Sequence, residues 1–180
     1  MAKVLYSATM SLDGFMAGPS GDMSWLADYL GPNELAESLV DQIGALLVGR
    51  RTFEGDDPNR GTEKEGALEG AWHGPQFVLT HRPTVPPPPG TTFVTDVASG
   101  VAAASAAAGD KYVNILGAEV ARQALAEGLV DEILVFIAPL LLGDGTRLFA
   151  WPGGAKMRLE RLSQSEFPLA TGIWYRVIRP

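Results

Sequence analysis

The feature of this sequence that most constrains its fold is the alternation of short apolar runs with helical patterns along most of the chain. The apolar runs with the length of strands cover residues 4–9, 45–48, 76–80, 92–95, 112–116 and 133–138. Most of them lack polar alternation, which is typical of strands buried on both faces of a sheet. Helical patterns lie between several of them, at residues 33–43, 97–108 and 119–127. The alternation predicts an α/β fold with a mostly parallel central sheet and helices on both faces.

The predicted helices have recognisable faces and ends. In the first, Ile43 falls on the same apolar face as the leucines and the valine before it. The second is alanine-rich, with Asp96 or Ser99 available near its start and Gly109 at its end. Gly128 ends the third. Each pattern therefore predicts a helix of ordinary length that crosses between strands.

The last part of the chain departs from this alternation. Residues 157–163 and 173–178 have strand patterns, broken by Pro168 and Gly172, and predict an antiparallel pair that closes one edge of the sheet. A chain of 180 residues accommodates one domain with a substantial core. We therefore expect a single domain over residues 1–180, because neither the four prolines at 86–89 nor the alanine-rich stretch marks a boundary.

Composition and charge exclude several classes of function. A formal net charge of −7 argues against a partner with a phosphate backbone, so nucleic acid is not expected. The chain has no cysteine and only two isolated histidines, which argues against a metal site. Its longest apolar run is too short to cross a bilayer, and the N-terminus passes straight into a strand pattern. No membrane association and a cytoplasmic location are therefore the expectations.

Several glycine-rich and arginine-containing segments follow the predicted strands. No Gly-x-Gly-x-x-Gly follows the first strand, so the ordinary Rossmann fingerprint is missing. A long loop, Ser11 to Gly18, follows instead and continues through Asp22 and Trp25, and such a loop is costly unless it covers something. Three more segments lie at strand ends: Gly49-Arg50-Arg51-Thr52, Thr80-His81-Arg82 and Leu116-Gly117-Ala118-Glu119. Arginines and helix N-termini at the carboxyl edge of a sheet suit a phosphorylated anionic ligand.

The same segments carry a resemblance to a known family. The strings are Ser11-Leu12-Asp13-Gly14 with Met16-Ala17, then Leu47-Val48-Gly49-Arg50-Arg51-Thr52-Phe53, and finally Gly128-Leu129-Val130-Asp131-Glu132 followed by Pro139-Leu140-Leu141-Leu142-Gly143-Asp144-Gly145. In order and spacing they resemble the riboflavin-reductase branch of the dihydrofolate reductase-like superfamily over nearly the whole chain. The resemblance implies a dihydrofolate reductase-like three-layer fold and NADPH as cofactor.

The resemblance also implies a role for individual residues. The first loop and the strand before it would cover nicotinamide and substrate, through Ala8, Asp13, Met16, Ala17 and Trp25. The pyrophosphate and the adenosine phosphates would be approached by Gly49, Arg50, Arg51, Thr52, Thr80, His81 and Arg82. The later glycine turn would cradle the pyrophosphate through Leu116, Gly117, Ala118, Glu119 and Val120. Leu142 and Gly143 join Trp25 as expected substrate contacts.

The function expected from these residues is an NADPH-dependent reductase of a small heterocyclic or carbonyl-containing substrate. Asp13 would orient the substrate or a proton-donating water, with Asp22 behind it, although Asp13 could equally hydrogen-bond its own loop. One alternative is reduction of 5-amino-6-(5-phosphoribosylamino)uracil, which needs a second anion site from Arg147 or Lys156. The other is a non-catalytic dimeric nucleotide-binding module.

Two further expectations concern the segment around the sixth predicted strand. Residues 134–142 offer more apolar surface than one edge of a small domain can cover, and relatives commonly pair, so a homodimer is expected. Asp131 and Glu132 precede this strand and are expected to form a solvated or capping pair rather than paired catalytic carboxylates.

Overall fold

The computed structural model describes residues 1–55, 57, 59–84 and 86–179. Its strands are β1 (Val4–Ser11), β2 (Phe15–Ala17), β3 (Ile43–Gly49), β4 (Gln76–Leu79), β5 (Thr91–Val94), β6 (Tyr112–Leu116), β7 (Glu132–Ala138), β8 (Thr146–Arg147), β9 (Arg158–Phe167) and β10 (Ala170–Ile178). Its α-helices are α1 (Glu34–Val40), α2 (Arg50–Glu54), α3 (Val97–Ala108) and α4 (Ala118–Ala126). Two short 3-10 helices, Pro19–Gly21 and Ser24–Tyr29, lie between β2 and α1. No helix of the described residues is long and apolar enough to cross a membrane.

Eight of the strands form one sheet in the order β5-β4-β3-β6-β1-β7-β10-β9. The first six in that order run parallel to one another, whereas β10 is antiparallel to β7 and β9 is antiparallel to β10. The remaining two strands, β2 and β8, pair as a small antiparallel ribbon outside the sheet. The mostly parallel sheet with an antiparallel C-terminal edge is confirmed.

The core lies on both faces of this sheet, which explains the unbroken apolar runs. Successive side chains of a strand point to opposite faces, so in β1 Tyr6 packs in the cluster that contains α3 and α4 residues. Leu5 packs on the other face with Leu39 of α1 and with Trp72. Helices therefore cover both faces, as expected from the alternation of strands and helices.

The first helix is shorter than its sequence pattern predicts. Asn33 caps α1 by accepting a hydrogen bond from the backbone N–H of Ala36 at 3.0 Å, but the helix ends at Val40. Ile43 opens β3 and pairs with Tyr112 of β6. The prediction of a helix through Ile43 is wrong, because Ile43 continues the apolar pattern of the helix but is the first residue of β3.

The position of the C-terminal turn also differs from the prediction. Pro168 and Leu169 alone separate β9 from β10, and Gly172 lies inside β10 opposite Phe136. A Cβ at Gly172 would lie 3.2 Å from the Phe136 ring and 3.1 Å from the Phe167 ring. The absence of a side chain at Gly172 therefore lets the rings of Phe136 and Phe167 pack against β10. The glycine does not break the strand.

Glu132 is not solvated, and this prediction is wrong. It is 3% exposed at the start of β7 and accepts hydrogen bonds from Lys3 Nζ at 2.8 Å, Tyr112 Oη at 2.9 Å and Trp174 Nε1 at 2.9 Å. Asp131 accepts from the backbone N–H of Val4 at 2.8 Å. Both carboxylates join neighbouring strands at the amino edge of the sheet.

The apolar surface used to predict a homodimer is mostly covered within the chain. In β7, Leu134, Phe136 and Ala138 are buried, since β1 pairs on one side of the strand and β10 on the other. Leu141, just beyond the strand, is 70% exposed. The argument from excess apolar surface is therefore wrong, and the homodimer itself stays a prediction.

Candidate ligand site at the carboxyl edge of the sheet

The neighbouring strands β3 and β6 end side by side at the carboxyl edge of the sheet, at the position where an open α/β sheet has its ligand crevice. These strands are neighbours, but the chain leaves β3 through α2 toward β4 on one side and leaves β6 through α4 toward β7 on the other. Such a topological switch point is where open α/β sheets bind ligands. The segments after β3 and β6, which were singled out in the sequence, therefore meet at this point.

The two segments touch through glycine. Gly117 has a φ of 109°, and a Cβ there would lie 2.7 Å from Thr52 Oγ1 and 3.7 Å from the backbone nitrogen of Gly49. A Cβ at Gly49 would lie 3.1 Å from Cγ2 of the buried Val120. This close approach places the N-terminus of α4 beside the start of α2, and backbone N–H groups at a helix N-terminus favour anions.

The arginines near this crevice differ in whether their charge is already paired. Arg50 Nε donates to Glu54 Oε2 at 2.8 Å, one turn along α2. Arg51 forms no hydrogen bond or ion pair within the described part of the chain. The pKa of Glu119 is lowered mainly by its hydrogen bond from Arg122, and the positive charge of Arg51 lowers it further. Arg51 is therefore the cation of this pair that is available to a ligand.

The segment after β4 adds a further cation. Thr80 is buried, and its Oγ1 accepts a hydrogen bond from the backbone N–H of Arg82 at 3.0 Å. The side chains of His81 and Arg82 are exposed, and neither is hydrogen-bonded among the described residues. Because β4 pairs with β3 up to Gly49 and Leu79, this turn is adjacent to the start of α2.

A cavity of about 480 Å³ brings Arg51 together with two other segments. Its lining residues are Gly18, Pro19, Ser20, Gly21, Arg51, Asp144, Gly145 and Thr146. They come from the loop after β2, the start of α2 and the turn that leads into β8. Three segments thus form one cavity, and three of its eight lining residues are glycines.

Beside the cavity, the backbone at Gly145 is in close contact with the backbone of Ala17 and Gly18. Gly145 has a φ of 132°, and a Cβ there would overlap the carbonyl oxygen of Ala17 and lie 2.7 Å from the carbonyl carbon of Gly18. Ala17 pairs with Thr146 in the β2–β8 ribbon. Only glycine fits at position 145, so this residue sets how closely the two cavity walls approach.

Asp13 ties two loops together beside this ribbon. Its Oδ1 accepts from Ser11 Oγ at 2.5 Å and from the backbone N–H of Leu142 at 3.1 Å, and its Oδ2 accepts from the N–H of Gly143 at 2.7 Å. These hydrogen bonds, with Ser11 contributing most, lower the pKa of Asp13 to about 2. The side chain is therefore an ionised clasp between the loops after β1 and β7, and it does not line the cavity. Its role toward a substrate stays a prediction.

Asp22 and Trp25 also lie outside the lining of the cavity. Asp22 Oδ1 accepts from the N–H of Ser24 at 2.9 Å, which lowers its pKa, and its carbonyl accepts from Gly18 at 2.8 Å. Trp25 is half-buried, its ring centroid is 6.1 Å from that of Tyr29, and its Nε1 is buried without a hydrogen-bond partner among the described residues. Asp22 thus shapes the loop that forms the cavity wall, and the roles predicted for both residues toward a substrate stay predictions.

Sequence reasoning missed the polar side chains of the cavity. Ser20, Asp144 and Thr146 line it, and none of them was a candidate site residue. Asp144 could have been chosen from the sequence, since it lies inside the Gly143-Asp144-Gly145 string. Ser20 could not have been chosen, because the sequence does not show its φ of 60°, which is unusual for a residue with a side chain.

Other positions from the sequence prediction serve mainly in packing. Ala8 and Met16 are half-buried against the core on the α3 and α4 face. Leu116 is half-buried against the opposite cluster, and Ala17 is buried. Ala118 begins α4 directly after Gly117. These positions hold the segments that form the crevice and the cavity.

The chain matches the family model described as the RibD C-terminal domain over residues 2–168. Among curated proteins, it is 26% identical over 156 residues to the uncharacterized protein YyaP of Bacillus subtilis (strain 168), which covers 82% of this chain and 80% of that protein.

Solved structures agree on the fold. A protein assigned to riboflavin biosynthesis from Shewanella sp. PV-4 is 24% identical with a TM-score of 0.76, covering 99% of this chain and all of that one. The riboflavin biosynthesis reductase Rib7 of Saccharomyces is 14% identical with a TM-score of 0.63, covering 98% of this chain and 90% of that one. The Thermotoga maritima diaminohydroxyphosphoribosylaminopyrimidine deaminase/5-amino-6-(5-phosphoribosylamino)uracil reductase is 16% identical with a TM-score of 0.67, and the match covers 98% of this chain but 57% of that one.

The predicted resemblance to riboflavin-biosynthesis reductases with a dihydrofolate reductase-like fold is thereby confirmed. Because the family model spans nearly the whole length, the chain belongs to the RibD C-terminal domain family.

Proposed function

We propose that this protein is an NADPH-dependent reductase of a small heterocyclic or carbonyl-containing substrate. The observation that carries the proposal is the guanidinium of Arg51, which lines the cavity, follows β3 at the switch point of the sheet and has no ion-pair partner in the described residues. Membership of the RibD C-terminal domain family, with reductases among the structural neighbours, supports it. On a chain of net charge −7, such a cation favours one local anionic ligand.

The residues at the crevice fit a dinucleotide. Gly49 and Gly117 let the segments after β3 and β6 pack closely together, and the N-terminus of α4 favours a diphosphate there. Arg51 and, on the neighbouring turn, Arg82 would both pair with the 2′-phosphate. When bound, NADPH supplies the hydride, and the protein supplies binding, orientation and electrostatics.

The chain's own residues position the substrate rather than exchange protons with it. Asp13 is ionised and accepts three hydrogen bonds, two of them from the backbone after β7, and so it holds the loops after β1 and β7 together. The backbone N–H of Leu12 donates to the carbonyl of Leu140 at 2.9 Å and adds a second link between the same loops. We expect these loops to orient the substrate and to exclude water from it, while the proton comes from water.

A more specific candidate is reduction of 5-amino-6-(5-phosphoribosylamino)uracil, the activity in the name of the Thermotoga neighbour. That substrate carries its own phosphate and needs another cation. The Arg147 guanidinium lies 4.5 Å above the Phe15 ring and donates to the carbonyl of Asp13 at 3.4 Å, with no carboxylate partner in the described residues. Lys156 is exposed in the following segment. Arg147 is the better candidate because its geometry is already constrained.

Two measurements test the proposed function. Binding of NADPH should quench the fluorescence of the tryptophans, and a mixture of metabolites containing the substrate should then cause NADPH oxidation. Quenching without oxidation for any heterocyclic or carbonyl substrate would favour the alternative of a non-catalytic dimeric module. Absence of quenching at millimolar NADPH would contradict both.

The arginines should decide between NADPH and NADH. Arg51→Ala and Arg82→Ala are each expected to weaken NADPH binding about ten- to a hundredfold, because a charge-assisted hydrogen bond contributes roughly 1.5–3 kcal/mol. NADH binding should hardly change. Both dissociation constants should be measured at one salt concentration, with Arg50→Ala as the matched control, since Arg50 is already paired with Glu54. Equal losses for the two cofactors would show that these arginines hold the pyrophosphate or the fold instead.

Asp13→Asn should lower kcat about a hundredfold and leave the dissociation constant of NADPH unchanged. The amide would place an N–H₂ group against the N–H of Gly143 or of Leu142, so the clasp between the loops is lost and the substrate is misplaced. Because the pKa of Asp13 is about 2, the wild-type profile of kcat against pH should show no titration of this group above about pH 4. A titration near neutral pH that disappears in Asp13→Asn would instead assign Asp13 to proton transfer.

A further inference from the structure

The two faces of β1 differ in polarity. Successive side chains of a strand point to opposite faces, and every second residue from Val4 to Met10 packs in the core on the side of α3 and α4. On the side of α1, Leu5 belongs to the other core cluster, but Ser7 and Thr9 follow it toward the carboxyl edge of the sheet. The strand is therefore polar on one face, at the end nearest the ligand site.

At the same end, β1 loses one of its two strand neighbours. It pairs with β6 over Val4 to Tyr6, whereas it pairs with β7 as far as Ser11. β6 ends at Leu116, and the chain then turns through Gly117 into α4. From Ser7 onward, β1 is thus paired on one side only in the described structure. We call the place between this half of β1 and the end of β6 the β1–β6 fork.

A buried polar pair joins the two strands at the fork. Ser7 Oγ donates to Asn114 Oδ1 at 2.9 Å. Ser7 is 7% exposed and Asn114 is 0% exposed, so the bond lies at the floor of the fork, below the half-buried Thr9. Because the hydroxyl hydrogen of Ser7 is used in this bond, its oxygen can only accept from a further group. Asn114 Nδ2 is buried and has no acceptor among the described residues. The floor therefore offers one acceptor and one donor.

This arrangement is costly unless something completes it. A buried N–H₂ group without an acceptor loses its hydrogen bonds to water, and native proteins nearly always supply a partner. The neighbours of Asn114 in register are Leu5 of β1 and Leu46 of β3, both fully buried. An apolar residue among these leucines would avoid the cost. The polar pair is therefore better explained by a group that binds at the fork.

We propose that the floor of the β1–β6 fork binds the edge of a planar amide, with Ser7 Oγ accepting from its N–H and Asn114 Nδ2 donating to its C=O. An amide edge presents a donor and an acceptor next to each other, which complements the floor. Asn114 also acts as a positioning residue, because its Oδ1 holds the Ser7 hydroxyl as an acceptor toward the ligand.

The inference rests on the proposed function and names the chemical class of its ligand. Within that function, two groups carry a planar amide: the ring of a heterocyclic substrate that contains N–H beside C=O, and the carboxamide of the nicotinamide. A phosphate or a sugar has no such edge. The fork therefore selects the planar end of a ligand, whatever group binds at the arginines.

The test compares two rings that differ in their N–H groups. Uracil has N–H beside C=O, whereas 1,3-dimethyluracil keeps the ring and both carbonyls but has no N–H. Ligand-observed NMR titration of the full chain should show about tenfold tighter binding of uracil. Ser7→Ala should remove most of this preference, because the acceptor is gone. Ser163→Ala removes an exposed hydroxyl on β9 and should keep the preference. No preference in the wild type, or the same preference in Ser7→Ala, would overturn the inference.

A second measurement needs no variant. In the ¹⁵N-labelled wild type, uracil should shift the side-chain N–H₂ resonances of Asn114. Those of Asn33 should not move, since its Oδ1 already accepts from the N–H of Ala36 at the start of α1. If neither uracil nor NADPH shifts the Asn114 resonances, water completes the pair and the inference is wrong.

Competition identifies the source of the amide. Displacement of uracil by NADPH assigns the fork to the nicotinamide carboxamide, and simultaneous binding assigns it to the substrate. If NADPH does not bind while the preference for uracil still depends on Ser7, the proposed cofactor is wrong and the inference about the fork stands.

Discussion

Gly145→Ala is expected to abolish ligand binding in the cavity beside Arg51 and to lower the free energy of unfolding by about 2–5 kcal/mol. Two costs add. The φ of 132° strains any residue with a side chain, and the new methyl would overlap the carbonyl oxygen of Ala17. The β2–β8 ribbon would have to open to relieve this overlap, and the cavity walls would separate.

Gly154→Ala is the control that separates the effect of backbone strain from that of steric overlap. Gly154 also has a positive φ, of 71°, but a Cβ there meets nothing within 4 Å, so this variant should lose only about 1 kcal/mol from backbone strain. Denaturant unfolding gives both free energies, and tryptophan quenching by NADPH gives the binding. A loss in Gly145→Ala no larger than that in Gly154→Ala would contradict the close approach of the two backbones.

Glu132→Ala should lower the free energy of unfolding by about 3 kcal/mol, because it leaves the partners of a buried carboxylate without an acceptor. Tyr112 Oη and Trp174 Nε1 both donate to Glu132 Oε2, and their side chains are half-buried on the sheet. Lys3 is 56% exposed at its side chain and can turn to water, so it adds little to the loss. For a chain of this length, the expected fall in Tm is roughly 6–12 °C.

Glu160→Ala is the matched control. Glu160 pairs with Arg176 at 2.8 Å on the exposed face of β9 and β10, and removing an exposed ion pair should change the free energy of unfolding by less than about 1 kcal/mol. Equal losses in the two variants would show that burial gives Glu132 no special importance.

The contribution of Glu132 to stability should depend on pH in one direction. Burial by itself raises its pKa, but the hydrogen bonds from Lys3, Tyr112 and Trp174 and the charge of Lys3 outweigh burial, so the pKa in the folded protein is lowered. The stabilisation is then fully present above the ordinary glutamate pKa of about 4.3 and is lost as the pH falls through the lowered value. The difference in unfolding free energy between the wild type and Glu132→Gln should therefore shrink below about pH 4.

The homodimer stays a prediction, and the sequence did not indicate which surface would form its interface. Exposed apolar side chains are spread over several elements, with Leu12 and Leu141 at the loops after β1 and β7 and Leu159 and Leu162 on β9. A register shift between Trp174 and Tyr175 interrupts the pairing of β9 with β10, and such a bulge disfavours simple pairing of this edge with another strand.

The sequence by itself determined the fold class and the edge of the sheet that carries the site. Apolar runs such as residues 133–138 are unbroken because both faces of the sheet are buried, and the lack of polar alternation in the run indicates this burial. Glycine and arginine segments after β3, β4 and β6 indicated the carboxyl edge, because strands in a parallel sheet end on the same side.

Only the tertiary structure decided which of these residues line the cavity and which are already paired within the chain. Arg50 and Arg51 are neighbours of the same type, but Glu54 pairs with the first and the second reaches the cavity, a difference set by the direction of each side chain on α2. Asp13 and Asp144 both lie in glycine turns, yet one closes a clasp and the other keeps an oxygen unpaired. Local sequence patterns indicate burial and turns, whereas the clasp formed by Asp13 depends on contact with Gly143, which lies 130 residues away along the chain.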